Sequence, residues 1–133
     1  MRLSRKTDYG IILLKSLTPT FKNGEFLSLP KIAKENNLPQ VFLGKLAEIL
    51  RHKGYLGSKR GAEGGYRLLK NPQRITFQEI IDALEESSMM RCLGVGDPQE
   101  RCHQVNICPT NKDWKEIHSK ITKEFKKITL GKI

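Results

Sequence analysis

Three cysteines are the residues best equipped for chemistry in this sequence of 133 residues. Cys92, Cys102 and Cys108 are separated by nine and then five residues. Gly94, Gly96, Pro98 and Pro109 stand among them, which predicts a loop rather than a helix. Thiolates bind soft metals, and three on one loop can converge on one centre. On the residues alone three readings stay open. A structural zinc would take the three cysteines with His103, although the short spacing usual between paired zinc cysteines is absent. A thiol switch would pair two cysteines and leave one free. An iron–sulfur cluster would take all three and a fourth, non-cysteine ligand. An odd cysteine count is a poor basis for a disulfide framework. His52, His103 and His118 show no partner pattern for acid–base or nucleophilic work, and no phosphate-binding glycine motif occurs, so no enzyme is expected.

The elements around that loop divide by charge. Residues 1–75 hold 15 Lys/Arg against 5 Asp/Glu, which is +10, and residues 76–133 hold 9 of each, which is 0. All the net charge therefore lies in the first part, where a polyanionic partner such as nucleic acid is expected. A content of 38% hydrophobic and 29% charged residues excludes a disordered chain, and the length suits one core. The longest aliphatic run, Ile11 to Leu14, is far too short to span a membrane. Lys15 interrupts the apolar segment after the basic start and no small-residue cleavage site follows, so the expected location is the cytoplasm.

Helical spacing of Tyr9, Ile12, Leu13 and Leu17 predicts a first helix over 4–17, ended by Thr18-Pro19. Ser28 caps a short helix to about Glu35, and a third runs from about Pro39 to His52 with Phe42, Leu46, Ile49 and Leu50 as its apolar stripe. Its polar face carries Gln40, Gly44, Lys45, Glu48 and Arg51, and Gly54 follows as a C-terminal cap. Two helices around a tight turn form a helix-turn-helix pattern. Residues 55–58 and 66–69 read as strands joined by a basic, Gly-rich tip, Lys59 to Gly65, in which Arg60 can enter a minor groove. The expected fold is mainly α with a small β-hairpin wing: a winged helix-turn-helix followed by a long C-terminal dimerisation helix. Thr76 to Glu79 form a capping box before a helix to about Glu86. A last helix over 110–130 carries Trp114, Ile117, Ile121, Phe125 and Ile128, a stripe expected to pack on a second subunit. The expected division is 1–86 for DNA binding, 87–109 for the cysteine loop, and 110–133 for dimerisation.

The opening Met1-Arg2-Leu3-Ser4, the wing Arg60-Gly61-Ala62-Glu63-Gly64-Gly65-Tyr66, the three-cysteine loop and the tail Ile128-Thr129-Leu130-Gly131 carry a likeness. Over nearly its whole length the chain resembles the Rrf-type bacterial transcription regulators. The resemblance implies a homodimeric DNA-binding repressor, controlled by an iron–sulfur cluster (4Fe–4S ahead of 2Fe–2S) that senses nitric oxide, redox or iron–sulfur status. It makes Cys92, Cys102 and Cys108 cluster ligands and Arg60 the minor-groove residue. Two departures matter. The first two cysteines are more widely spaced than is usual in the family. Asn111 stands where the IscR-like branch has a histidine. The NsrR-like branch uses an early acid instead, and Asp8 after Thr7 occupies that position, so Asp8 of one subunit would complete the other's site, with His103 and Asn111 as alternatives. For DNA, Gln40, Val41, Gly44 and Lys45 are the expected contacts of the reading helix, joined by Ser28, Lys59, Arg60 and Gly61. Gly44 replaces an acid of the IscR-like branch, so that branch's operator preference is not carried over. The alternative keeps the fold without a cluster and responds through a cysteine thiol switch, a metabolite or a partner protein.

Overall fold

A computed structural model describes residues 3–86, 88–94 and 96–133 of the chain. Met1 and Arg2 of the opening motif and Ser87 at the start of the cysteine loop lie outside the described residues. Ser4 precedes α1 (Arg5–Asn23), which runs past the expected stop at Pro19. A proline removes one N–H, but here Leu17 and Thr20 on either side of it are buried, and that packing carries the helix onward. The helix ends instead at Gly24, which adopts φ 72° and donates its N–H to the Thr20 carbonyl at 3.0 Å.

Next come α2 (Leu29–Asn36) and α3 (Gln40–His52), separated by Asn37 in a left-handed conformation and Pro39. The stripe of α3 is centred on Leu43, Leu46, Ala47 and Leu50, all buried, with Phe42 and Ile49 at its edges. Strands β1 (Leu56–Lys59) and β2 (Gly65–Leu68) pair antiparallel, Leu56 opposite Leu68 and Lys59 opposite Gly65. This hairpin is the expected wing, one residue displaced in each strand. The buried Thr20 hydroxyl ties it to α1, accepting the Leu68 N–H at 2.9 Å while donating to the Leu17 carbonyl at 2.6 Å.

Helix α4 (Phe77–Leu84) begins with the expected capping box, the Thr76 hydroxyl accepting from the Glu79 N–H and the Glu79 carboxylate from the Thr76 N–H. The cysteine segment is not bare loop. It contains a 3-10 turn at Arg91–Leu93 and the single-turn helix α5 (Pro98–Arg101), whose Asp97 side chain accepts the Gln99 N–H. Helix α6 (Asn111–Lys127) stops three residues before the expected end. Ile128 turns extended because the tail makes better contacts on its own domain. Thr129 pairs with Thr76, the Ile128 carbonyl accepts the Phe77 N–H at 2.9 Å, and the fully buried Leu130 donates its N–H to Ile75 at 2.8 Å.

The core joins Leu13, Leu14 and Leu17 of α1, Leu43, Leu46 and Leu50 of α3, Leu56 and Leu68 of the wing, Ile80 of α4 and Leu130. Burial of each such side chain contributes about 1.5–3 kcal/mol. Helix α6 adds no fully buried residue. Its C-terminal half lies on α4, with Phe125 and Phe77 rings 6.3 Å apart, while Ile117 is 42% exposed. Among the described residues no helix is long and apolar enough to cross a membrane.

Candidate nucleic-acid interface and cysteine loop

Helix α3 buries one face because Leu43, Leu46, Ala47 and Leu50 recur three and four residues apart. That fixes what faces outward at the N-terminal end. Gln40, Val41 and Lys45 are exposed, and Gly44 lies half-buried among them. There is no acid in the first turn of α3 to repel a phosphate. Ser28 caps α2 by position, without a side-chain bond, and sits beside the base of the wing: a Cβ on Gly65 would lie 2.8 Å from the Ser28 nitrogen. Lys59, Arg60 and Gly61 form the exposed wing tip, with Gly61 at φ 109°. The Lys59 ammonium lies 5.9 Å from the centre of the Phe26 ring.

One contact in this interface escaped the sequence reading. Tyr66 of β2 donates its hydroxyl to Glu48 of α3 at 2.7 Å, and the same carboxylate accepts from Arg51 Nε at 3.0 Å and Nη2 at 2.9 Å. Hydrogen bonds from Arg51 and then Tyr66 hold the Glu48 carboxyl below its ordinary pKa. Burial, then the bond to Glu48, pushes the Tyr66 phenol up to about 12, so it remains a donor at neutral pH. The wing is thereby fastened to α3. A second fastening is backbone to backbone: Leu27 and Tyr66 exchange N–H···O bonds, each 2.9 Å. The only sequence sign of this was the glycine at 65.

The three cysteines are free thiols and half-exposed. Cys92 lies in the 3-10 turn, Cys102 ends α5, and Cys108 stands just before α6. The Arg101 guanidinium folds the segment, donating to the carbonyls of Arg91 at 2.8 Å and Gly96 at 3.0 Å. Hydrogen bonds from the Thr110 side chain and backbone and from the Asn111 N–H draw the Cys108 pKa below its ordinary value, favouring its thiolate. Asp8 is exposed in the first turn of α1. Among the described residues no three His, Cys, Asp or Glu side chains gather to hold a metal ion. The donor types suit a soft metal or cluster, but among the described residues they do not stand together in one group. His103 is exposed and Asn111 half-buried, and neither completes such a group.

Between the cysteine segment and α1 lies a polar clasp. One oxygen of Glu85, the residue that ends α4, accepts from the Ser4 N–H and hydroxyl, both at 2.8 Å, and from the Thr7 hydroxyl. Beside it Lys6 pairs with Glu86 at 2.7 Å. The Ser4 hydroxyl is thus spent on α4 instead of capping α1. A half-open groove of about 1130 Å³ adjoins the clasp, with Ile81, Met89, Met90, Leu93, Ile121 and Phe125 among its walls.

Comparison with known proteins shows the family and the fold. A family model described as Rrf2, iron-dependent transcriptional regulator, matches residues 3–133. The chain is 30% identical over 134 residues to the HTH-type transcriptional regulator IscR of Cronobacter sakazakii, covering 100% of this chain and 80% of that protein. The structure of T. potens IscR is similar at TM-score 0.75 and 29% identity, over 99% of this chain and 85% of the other. The structure of CymR, the global cysteine regulator of B. subtilis, is similar at TM-score 0.74 and 30% identity, over 99% of this chain and 95% of the other.

Proposed function

The chain belongs to the Rrf2 family of transcription regulators, and on that premise we propose that it binds an operator as a homodimer, inserting α3 into the major groove and the wing into the minor groove. One observation carries this reading: Gln40, Val41 and Lys45 of α3 and Arg60 of the wing are exposed on the half of the chain that holds the whole charge of +10. Mobility shifts across a salt series test it. With about 8 phosphates engaged by the dimer, the log–log salt slope is near −7. Arg60→Ala weakens specific binding by about 1–3 kcal/mol, the cost of one groove contact. A slope near zero counts against the reading.

For the signal, the proposed residues are Cys92, Cys102 and Cys108 of one subunit with Asp8 of the other, holding an iron–sulfur cluster. Support comes from the donor types, from the family's description as iron-dependent, and from the place of Asp8 on a helix joined to α4 by the Glu85 clasp. A bound cluster would supply a link labile to nitric oxide and oxidants. The chain's own part is to transmit the state of the loop through Glu85 to α1, which packs on α3 and β2. Anaerobic purification should give a brown protein with iron and sulfide, and Asp8→Ala should alter its absorption spectrum or nitric-oxide response without unfolding it. An unchanged spectrum and response would remove Asp8 from the site.

A second reading has its own support. Among the described residues the cysteines do not gather with other donors, and the groove beside their segment is large enough for a metabolite. Colourless anaerobic protein with three titratable thiols would favour a cluster-free regulator.

A further inference from the structure

Val41 is 78% exposed, although it is a large apolar side chain at the start of the reading helix. Among the described residues nothing covers it, while Gln40 and Lys45 flank it with groups that bind bases and phosphates. Three residues on, Gly44 stands inside α3 without a reason from the fold. Its backbone is helical, and a Cβ there would meet only Leu29 Cδ1, at an ordinary 3.7 Å. Glycine inside a helix is less stable than alanine, so an alanine would serve the isolated domain better. One turn from the exposed Val41, Gly44 thus offers bare helical backbone, with the exposed Gln40 and Lys45 nearby in sequence. In the major groove the one apolar group on a base edge is the C5-methyl of thymine.

We propose that Val41 and the bare backbone of Gly44 seat a thymine C5-methyl, so that α3 selects an A·T pair. The proposal rests on the assignment of α3 as the DNA-reading helix. Gln40, at the adjoining position, supplies the complementary contact, since its amide can bond both N6 and N7 of adenine. Lys45 on the same surface anchors a phosphate or a guanine nearby.

The test begins with duplexes enriched by the wild-type protein from a randomised DNA pool. Each thymine in an enriched duplex is then replaced by uracil, which removes only the methyl, and affinity is read by fluorescence anisotropy. The expected result is one thymine per half-site whose replacement weakens wild-type binding about 4-fold, the effect of one buried methyl. Val41→Ala should bind thymine and uracil versions of that duplex equally. Because Val41 is exposed, this variant should keep the wild-type melting temperature. Gly44→Ala should melt higher than wild type yet bind the thymine duplex less tightly. Uniform indifference to uracil, or Val41→Ala with the full wild-type preference for thymine, overturns the proposal. Failure to enrich any duplex overturns the DNA-reading assignment itself, and the methyl seat with it.

Discussion

Gly65 shows how much a single missing methyl can control. Its φ is 150°, and a Cβ there would lie 2.1 Å from the Leu27 carbonyl oxygen, which is backbone and cannot swing aside. Gly65→Ala should therefore destabilise the fold by about 1–3 kcal/mol and shift the wing, lowering DNA affinity even in protein that remains folded. Urea melts and anisotropy on the same samples check both effects, and a variant with unchanged melting and binding would refute them. At this scale legibility followed sequence distance. Thr76 and Glu79 could be read as a capping box because the partners are three residues apart and the motif is local. Tyr66 and Glu48 are 18 residues apart on different elements, and no local rule connects a wing tyrosine to that carboxylate. Glu48 was recognisable as an outer-face residue of α3, but its partner required the folded chain.

Elements were legible where their apolar spacing and caps agreed, and misread where burial overrode a local signal. Pro19 looked like a terminator, yet α1 continues because Leu17 and Thr20 are held in the core. Ile128 looked like the next turn of α6, yet the pairing of Thr129 with Thr76 pulls it out of the helix. The join between α1 and α4 gives an element-scale prediction. Burial raises the Glu85 pKa, but hydrogen bonds from Thr7 and Ser4, with Lys6 nearby, outweigh it and leave the group below its ordinary 4.5. A carboxyl depressed by folding stabilises above its unfolded pKa, and that stability disappears as pH falls through the folded value. Glu85→Gln should thus cost about 1–3 kcal/mol at neutral pH, as charged hydrogen bonds do. The gap from wild type should narrow as pH falls below the ordinary carboxyl value of 4.5 and through the lower folded one. Melting temperatures of both proteins over pH 3–7 provide the check, and parallel curves would show that Glu85 contributes no charge-dependent stability.

At the scale of the molecule, the stripe on α6 is divided between two surfaces. Phe125 meets α4 of its own chain, whereas Ile117 is left 42% exposed on a helix with no buried residue. The proposed homodimer would cover that remainder. Ile117→Lys should then raise the dimer dissociation constant by at least about tenfold, the effect of a charge placed in an apolar contact. Sedimentation equilibrium measures it, and dimerisation at wild-type strength would place the interface elsewhere. The separation of charge was legible from composition alone, since +10 falls entirely within residues 1–75. What composition could not show is that the tail around Ile128 and Leu130 returns to the boundary between the two halves, pairing with Ile75, Thr76 and Phe77. The chain from α4 to α6 therefore leaves and returns through neighbouring points, with Ile80 of α4 kept in the core and the described residues of the cysteine segment adding no buried side chain to it. A closed excursion of that kind tolerates changes of length, because doubling a flexible loop costs only about 0.6 kcal/mol. The wide interval between Cys92 and Cys102 is then cheap for the fold to accommodate, and the cysteine segment can change length without redrawing the core beneath it.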